Sequence, residues 1–321
     1  MQKQLSATYA STAFSFSGTD FLVVAGAGYV LLLALFYLYE PRPGISKSLR
    51  CLRVVRTFLH SPFATWRQGL SQEERLAVLT TLLKAFFAPL MAMSLMVFCM
   101  ATLATGQAIV VTDSDSFLTL FDRHGFWLVM RVILFIDVLV FTVGYLCELP
   151  KLHNEIRSVD PTLLGWASAL LCYPPFNSLT WAVLGSQVSD FPKFNDPTSH
   201  LLLNLALLLL MAMYSWASVA LGLKASNLTH RGIVSCGPYA LVRHPAYSCK
   251  NVAWWIASLP LVSQAFAHGV FEGLQAVASV TGWTMLYVLR AFTEEEHLRS
   301  VDGDYAVYAA KVPHRFVPGM L

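Results

Sequence analysis

The chain has 321 residues, of which 56% are hydrophobic and 13% charged, about half the ~25% charged fraction of an ordinary soluble domain. So few charges exclude a water-soluble surface, and a formal charge of +3 gives no ground for nucleic acid as a partner. Apolar residues gather in unbroken stretches that suit a ~30 Å hydrocarbon core, which takes roughly 20 helical residues to cross. The ~10-residue segments of alternating polarity that mark a membrane barrel do not occur. The expected fold class is therefore all-α, a polytopic transmembrane helical bundle.

The first 20 residues lack the charged start and cleavage site of a signal peptide, so the stretch from Phe21 reads as a retained span. About seven spans are predicted. The first five cover Phe21 to Tyr39, Ala85 to Thr105, Phe126 to Leu149, Pro161 to Leu184 and Leu201 to Leu223. Ser248 to Val262 and Phe271 to Arg290 follow, read as a helical hairpin joined by a polar connection from Ser263 to Gly269. With the N-terminus outside and the C-terminus cytoplasmic, eighteen of the 22 Lys and Arg residues fall on the cytoplasmic side. Only Lys3, Arg123, Arg131 and Lys193 fall outside or near it, where Asp113, Asp115, Asp122, Asp190 and Asp196 gather.

Between the first two spans, residues 41–75 are basic, with Arg42, Lys47, Arg50, Arg53, Arg56, Arg67 and Arg75. From Ile45 to Leu70 the bases alternate with Leu49, Leu52, Val55 and Leu59 at helical spacing, the pattern of an interfacial helix on an anionic leaflet. Asp137 lies near the middle of the third span, where an ionisable group is expensive. Arg131, six residues away, stands ~240° around the helix, so Asp137 is expected to bond another helix or stay protonated. In the fourth span, Cys172-Tyr173-Pro174-Pro175-Phe176-Asn177 interrupts the helix. Asn204 and Trp216 in the fifth read as packing residues. Six scattered cysteines, without a C-x-x-C pair or a His/Cys cluster, imply neither a disulfide framework nor a metal site. Two regions are expected, 1–200 with the N-terminal spans and 201–321 with a catalytic membrane core and cytoplasmic tail.

The chemistry concentrates after the fifth span. Ser226-Asn227-Leu228-Thr229-His230-Arg231-Gly232 leads to Gly237-Pro238-Tyr239, a turn signal, and then to Arg243-His244-Pro245-Ala246-Tyr247-Ser248-Cys249-Lys250-Asn251. Pro245 restricts His244 to an extended conformation, so loop passes to helix here, and Tyr247, Lys250 and Asn251 share one helical face. The last span ends in Arg290-Ala291-Phe292-Thr293-Glu294-Glu295-Glu296-His297-Leu298, with Arg290 and Glu294 as i,i+4 neighbours. A hairpin brings both clusters to one end. Carboxylates for ribose or an amino group, an arginine for a carboxylate and aromatic faces for an adenine suit a zwitterionic nucleoside cofactor.

The turn Gly237-Pro238-Tyr239, Arg243-His244-Pro245-x-Tyr247, Arg290-x-x-x-Glu294-Glu295-x-x-Leu298, Tyr305-x-x-Tyr308 and Val312-Pro313-His314-Arg315-Phe316-Val317-Pro318-Gly319 occur in an order and spacing that resemble the isoprenylcysteine carboxyl methyltransferase family and its phospholipid-methyltransferase relatives. The resemblance covers roughly Trp216 to the C-terminus, about a third of the chain. It implies a membrane-embedded site for S-adenosylmethionine facing the cytoplasm. Gly237, Pro238, Tyr239, His244, Tyr247, Arg290, Glu294 and Glu295 would hold the cofactor, with His244, Arg243 and Asn251 as catalytic candidates. The acceptor would be a lipid or prenylated molecule from the bilayer, through a carboxylate or an amine. The sequence departs from the family at Ser248-Cys249-Lys250-Asn251, where a small residue such as Gly is expected, and this bears on substrate identity. Membrane sterol and steroid reductases, which use a nicotinamide dinucleotide, are the competing enzyme class. A non-catalytic membrane sensor or assembly factor is the third reading.

Overall fold

The computed structural model describes residues 8–10, 15–39, 46–111, 116–185 and 189–319, so Lys3, Arg42, Asp113 and Asp115 lie outside the described residues. After a short hairpin of β1 (Thr8–Ala10) and β2 (Ser15–Ser17), the chain is built of helices: α1 (Gly18–Tyr39), α2 (Lys47–His60), α3 (Pro62–Gln68), α4 (Gln72–Val111), α5 (Phe117–Leu120) and α6 (Phe126–Leu146). α7 (Leu163–Leu170), α8 (Asn177–Leu184), α9 (Pro197–Leu221), α10 (Pro245–His268), α11 (Val270–Val301) and α12 (Asp304–Lys311) complete it. Four stretches are long and apolar enough to cross a bilayer: Gly18–Leu35, Gln72–Ile109, Phe117–Leu146 and Pro197–Lys224. The protein is an all-α membrane protein, and the wide exposure of Val24, Leu31 and Leu32 on α1 is what a lipid-facing helix requires.

Local chemistry sets the helix starts. Asp196 caps α9 by accepting from Ser199 N at 2.7 Å, with Pro197 in the first turn, where its missing N–H costs nothing. Thr162 caps α7 through Gly165 N, and Pro245 opens α10 directly after His244. The connection expected from Ser263 to Gly269 is helical as far as His268, so Gly269 alone turns the hairpin of α10 and α11. The backbone bond from Gly269 N to Ala265 O ends the first helix, and that from Gly273 N to Gly269 O starts the next. The single interfacial helix expected over 45–70 is two, because Ser61 caps α2 through Thr57 O and Pro62 then begins α3.

The fourth predicted span is broken where the two prolines stand, leaving α7 and α8 with turns between them. At one end β3 (Ser158–Val159) pairs with β4 (Thr229–His230), while at the other Gly185 O accepts from Trp283 Nε1 and Ser189 N donates to Ala257 O. One core cluster, with Leu83 and Phe87 of α4, Tyr145 of α6 and Leu228, lies beside the β3–β4 pair. A second joins Phe126 and Met130 of α6, Leu207 and Met211 of α9 and Ala257 of α10 at the far end.

Candidate active site

A cavity of about 200 Å³ opens between α9, α10, α11 and the 224–243 loops. The spacing that put Tyr247 and Lys250 on one face of α10 turns both into it, and Arg290 and Glu294 reach it from α11. Glu294 Oε1 accepts from the Tyr247 hydroxyl and from Arg290 Nε at 3.3 Å, while Oε2 lies 4.0 Å from His244 Nδ1. The His244 and Tyr247 rings stack at 5.5 Å. The Arg290 guanidinium is 5.3 Å from the Tyr247 ring centroid and 5.7 Å from that of Tyr173, within cation–π range. Its Nη2 donates to Asn227 Oδ1, and Asn227 Nδ2 in turn donates to the Tyr145 hydroxyl. These bonds tie four elements into one wall.

Tyr239, Arg243, His244, Tyr247, Lys250, Arg290 and Glu294 line the cavity. Gly237, Pro238, Asn251 and Glu295, also expected in the site, stand just outside this lining. Gly237, at φ +59 with Ala220 Cβ 3.3 Å from where its own Cβ would be, makes the tight turn that seats Pro238 and aims Tyr239 inward. Asn251 Nδ2 donates back to Tyr247 O at 2.8 Å. Glu295, 1% exposed, sits behind the wall with Arg243 Nε, His244 Nε2 and Arg315 Nε each at 3.2 Å and Arg299 Nη2 at 2.8 Å. Burial opposes its ionisation, but the hydrogen bond from His244 and the charges of His244, Arg243 and Arg315 prevail and hold the carboxyl at about 2. Glu295 is a positioning residue. It fixes His244 and Arg243, whose backbone N–H groups donate to Arg315 O and His314 O of the tail.

The deep end of the cavity is aromatic. Lys250 Nζ donates to Tyr287 Oη at 2.9 Å and lies 5.1 to 5.6 Å from the rings of Trp254, Tyr287 and Tyr214. Tyr214 donates to Asp137 Oδ2 at 3.0 Å, and Ser218 donates to Oδ1, so Asp137 is bonded across to α9. Arg131 instead reaches Ala101 O of α4 at 3.1 Å. Asn204 is fully buried and ties Pro192 O to α9, whereas Trp216 is half-exposed.

The shallow end is cationic. Arg231, 2% exposed, donates through Nη1 to Gly144 O, Asn154 O and Leu223 O, while its Nε and Nη2 have no hydrogen-bond partner among the described residues. Lys224 and Arg157 converge on Gly232, whose Cβ would meet them at 3.2 and 3.7 Å. Beside them, burial keeps the His230 and His297 imidazoles below their ordinary range, His230 despite Asp302 at 2.7 Å. Tyr173, Tyr214, Tyr287, Asn227 and Arg231 were not assigned to the site from sequence. The signal available was a tyrosine in each of three apolar spans, together with the polar run from Ser226 to Gly232. Among the described residues no His, Cys, Asp and Glu groups are arranged to hold a metal. No protein-family model and no curated protein matches the chain.

Proposed function

We propose that this protein is an S-adenosylmethionine-dependent methyltransferase acting on a membrane-borne lipid or prenylated acceptor, in a bundle of about seven spans with the cavity at the cytoplasmic end. The observation that carries the reading is the Tyr247–Glu294–Arg290 wall, a carboxylate and a guanidinium held side by side between aromatic rings. Glu294 suits the amino group or ribose hydroxyls of such a cofactor, and the Tyr173 and Tyr247 faces suit its adenine and sulfonium. The unspent donors of buried Arg231 suit a carboxylate at the other end. When bound, the cofactor supplies an electrophilic methyl for in-line displacement. The protein's share is then to hold donor and acceptor in near-attack geometry in a water-poor cavity, without a covalent nucleophile.

Lys250 favours a carboxylate acceptor. Its ammonium lies at the aromatic floor, where an oxyanion would be attracted and an amine repelled. His244 and Glu294 would serve as the base for an amine.

Calorimetric titration of the purified protein with S-adenosylhomocysteine tests the reading. Binding is expected, weakened at least about tenfold in Glu294→Gln by loss of a charge-assisted bond worth ~1.5–3 kcal/mol. The cationic shallow end gives a nicotinamide dinucleotide reductase a specific claim, since Lys224, Arg157 and Arg231 would meet phosphates. Binding of NADPH without S-adenosylhomocysteine would replace the methyltransferase reading, and binding of neither would remove both. A one-methyl mass difference in lipid extracts made with and without the gene would identify the acceptor.

A further inference from the structure

α2 and α3 carry a surface that the cavity does not explain. The inner side of α2 is anchored: Cys51 is buried, Lys47 Nζ bonds Glu148 and donates to Ile156 O at 2.7 Å, and Arg50 pairs with Glu73 in the first turn of α4. The outer side is apolar and open, with Leu52 63% and Leu59 74% exposed, continuing into Phe63 at 86% and Trp66 at 82% on α3. At ~100° per residue, Leu52, Val55 and Leu59 form one edge of α2, and Arg53, Arg56 and His60 form another about 100° away. The Arg53 and Arg56 side chains are exposed and carry no ion pair among the described residues, and neither helix contains an acidic residue.

The position of this surface identifies its occupant. α4 is 40 residues, about 60 Å, and outreaches the ~30 Å hydrocarbon core. Arg50 fastens α2 to its first turn, and Glu148 bridges Lys47 to Lys84, the last charged residue before the uncharged run of α4 from Ala85 to Val111. α2 therefore lies at headgroup level, continuous with the lipid-facing surfaces of α1 and α4.

We propose that α2 and α3 form a docking surface for anionic phospholipids of the surrounding leaflet. Leu52, Leu59, Phe63 and Trp66 enter the acyl boundary, and Arg53 and Arg56 hold phosphate headgroups. This does not rest on the methyltransferase reading.

Trp66 is the probe. The full-length protein is placed in nanodiscs of phosphatidylcholine and phosphatidylglycerol, in which one lipid or the other is brominated at the same mole fraction. The signal of Trp66 is the difference between the protein and Trp66→Phe. Brominated phosphatidylglycerol is expected to quench it at least about twofold more than brominated phosphatidylcholine, as basic residues near a charged leaflet enrich anionic lipid severalfold. Arg53→Gln/Arg56→Gln, with an unchanged unfolding temperature, and high salt acting on the unaltered protein, should each abolish the excess while leaving quenching by phosphatidylcholine. Equal quenching by both lipids would overturn the anionic preference. A Trp66 quenched by neither would show that another partner covers the surface.

Discussion

Glu295 concentrates the energetics of the site in one side chain. A carboxylate buried against Arg243 and His244, and reached by the more exposed Arg299 and Arg315, is costly to create, and removing it leaves the buried Arg243 guanidinium without a counter-charge. Glu295→Gln is accordingly expected to lower unfolding stability by about 3–5 kcal/mol. The partly exposed Glu294→Gln should cost about 1 kcal/mol or less while weakening cofactor binding at least about tenfold; thermal unfolding in detergent distinguishes the two. The pH dependence follows from the native carboxyl being held at about 2 against the ordinary 4.5. The unfolded chain takes up the proton first, so this stabilisation is complete above pH 4.5 and disappears as acid carries the protein through pH 2. Glu148, paired with Lys47 and Lys84 and also held at about 2, acts in the same direction. Unfolding measured from pH 6 to pH 3 should therefore fall less steeply in Glu295→Gln without becoming flat.

The site wall depends on how closely its elements approach, and Gly144 marks the tightest place. A Cβ there would stand 2.2 Å from Ala225 O, so only glycine lets the 222–228 loop lie against the end of α6. That approach allows Asn227 N to donate to the Tyr145 hydroxyl at 2.8 Å and Arg231 to reach Gly144 O at 2.9 Å. Gly144→Ala must push the loop outward. It is expected to cost about 1–3 kcal/mol and to weaken S-adenosylhomocysteine binding through Asn227 and Arg290, which calorimetry on the folded variant would measure. Elements of this kind divide what was legible in the sequence from what was not. Arg290 and Glu294 could be paired by helical spacing, and a hairpin could be predicted to bring Tyr247 to them. Asn227, Tyr145 and Tyr214 meet the site through contacts 63 to 82 residues apart, for which no local period exists. Asn251 shares the helical face of Tyr247 but spends its amide on the backbone below, a choice that periodicity does not reveal.

At the scale of the whole molecule, apolar length was legible because a chain in lipid must satisfy its backbone within each segment. The break between α7 and α8 was legible too, at Pro174-Pro175, but the hairpin turn was less so, since His268 continues the helix through a polar stretch. Lys47, Lys224 and Arg243 stand at the cavity end, whereas Asp122 with His200, Lys193 and Asp196 stand at the other. Cys236, exposed and immediately before the Gly237-Pro238 turn, allows a direct measurement of sidedness. A membrane-impermeant maleimide should label it in inside-out vesicles but not in intact cells, and Cys236→Ser should remove that labelling. In the Cys236→Ser background, Glu155→Cys, which replaces an exposed residue at the cavity end, should behave as Cys236 does. Asp190→Cys, beyond the broken segment, should be labelled from the opposite side. Labelling of positions 155 and 190 from the same side would mean that α7 and α8 do not carry the chain across the bilayer. The count of seven would then fail, and with it the inference that both termini of the bundle face opposite compartments.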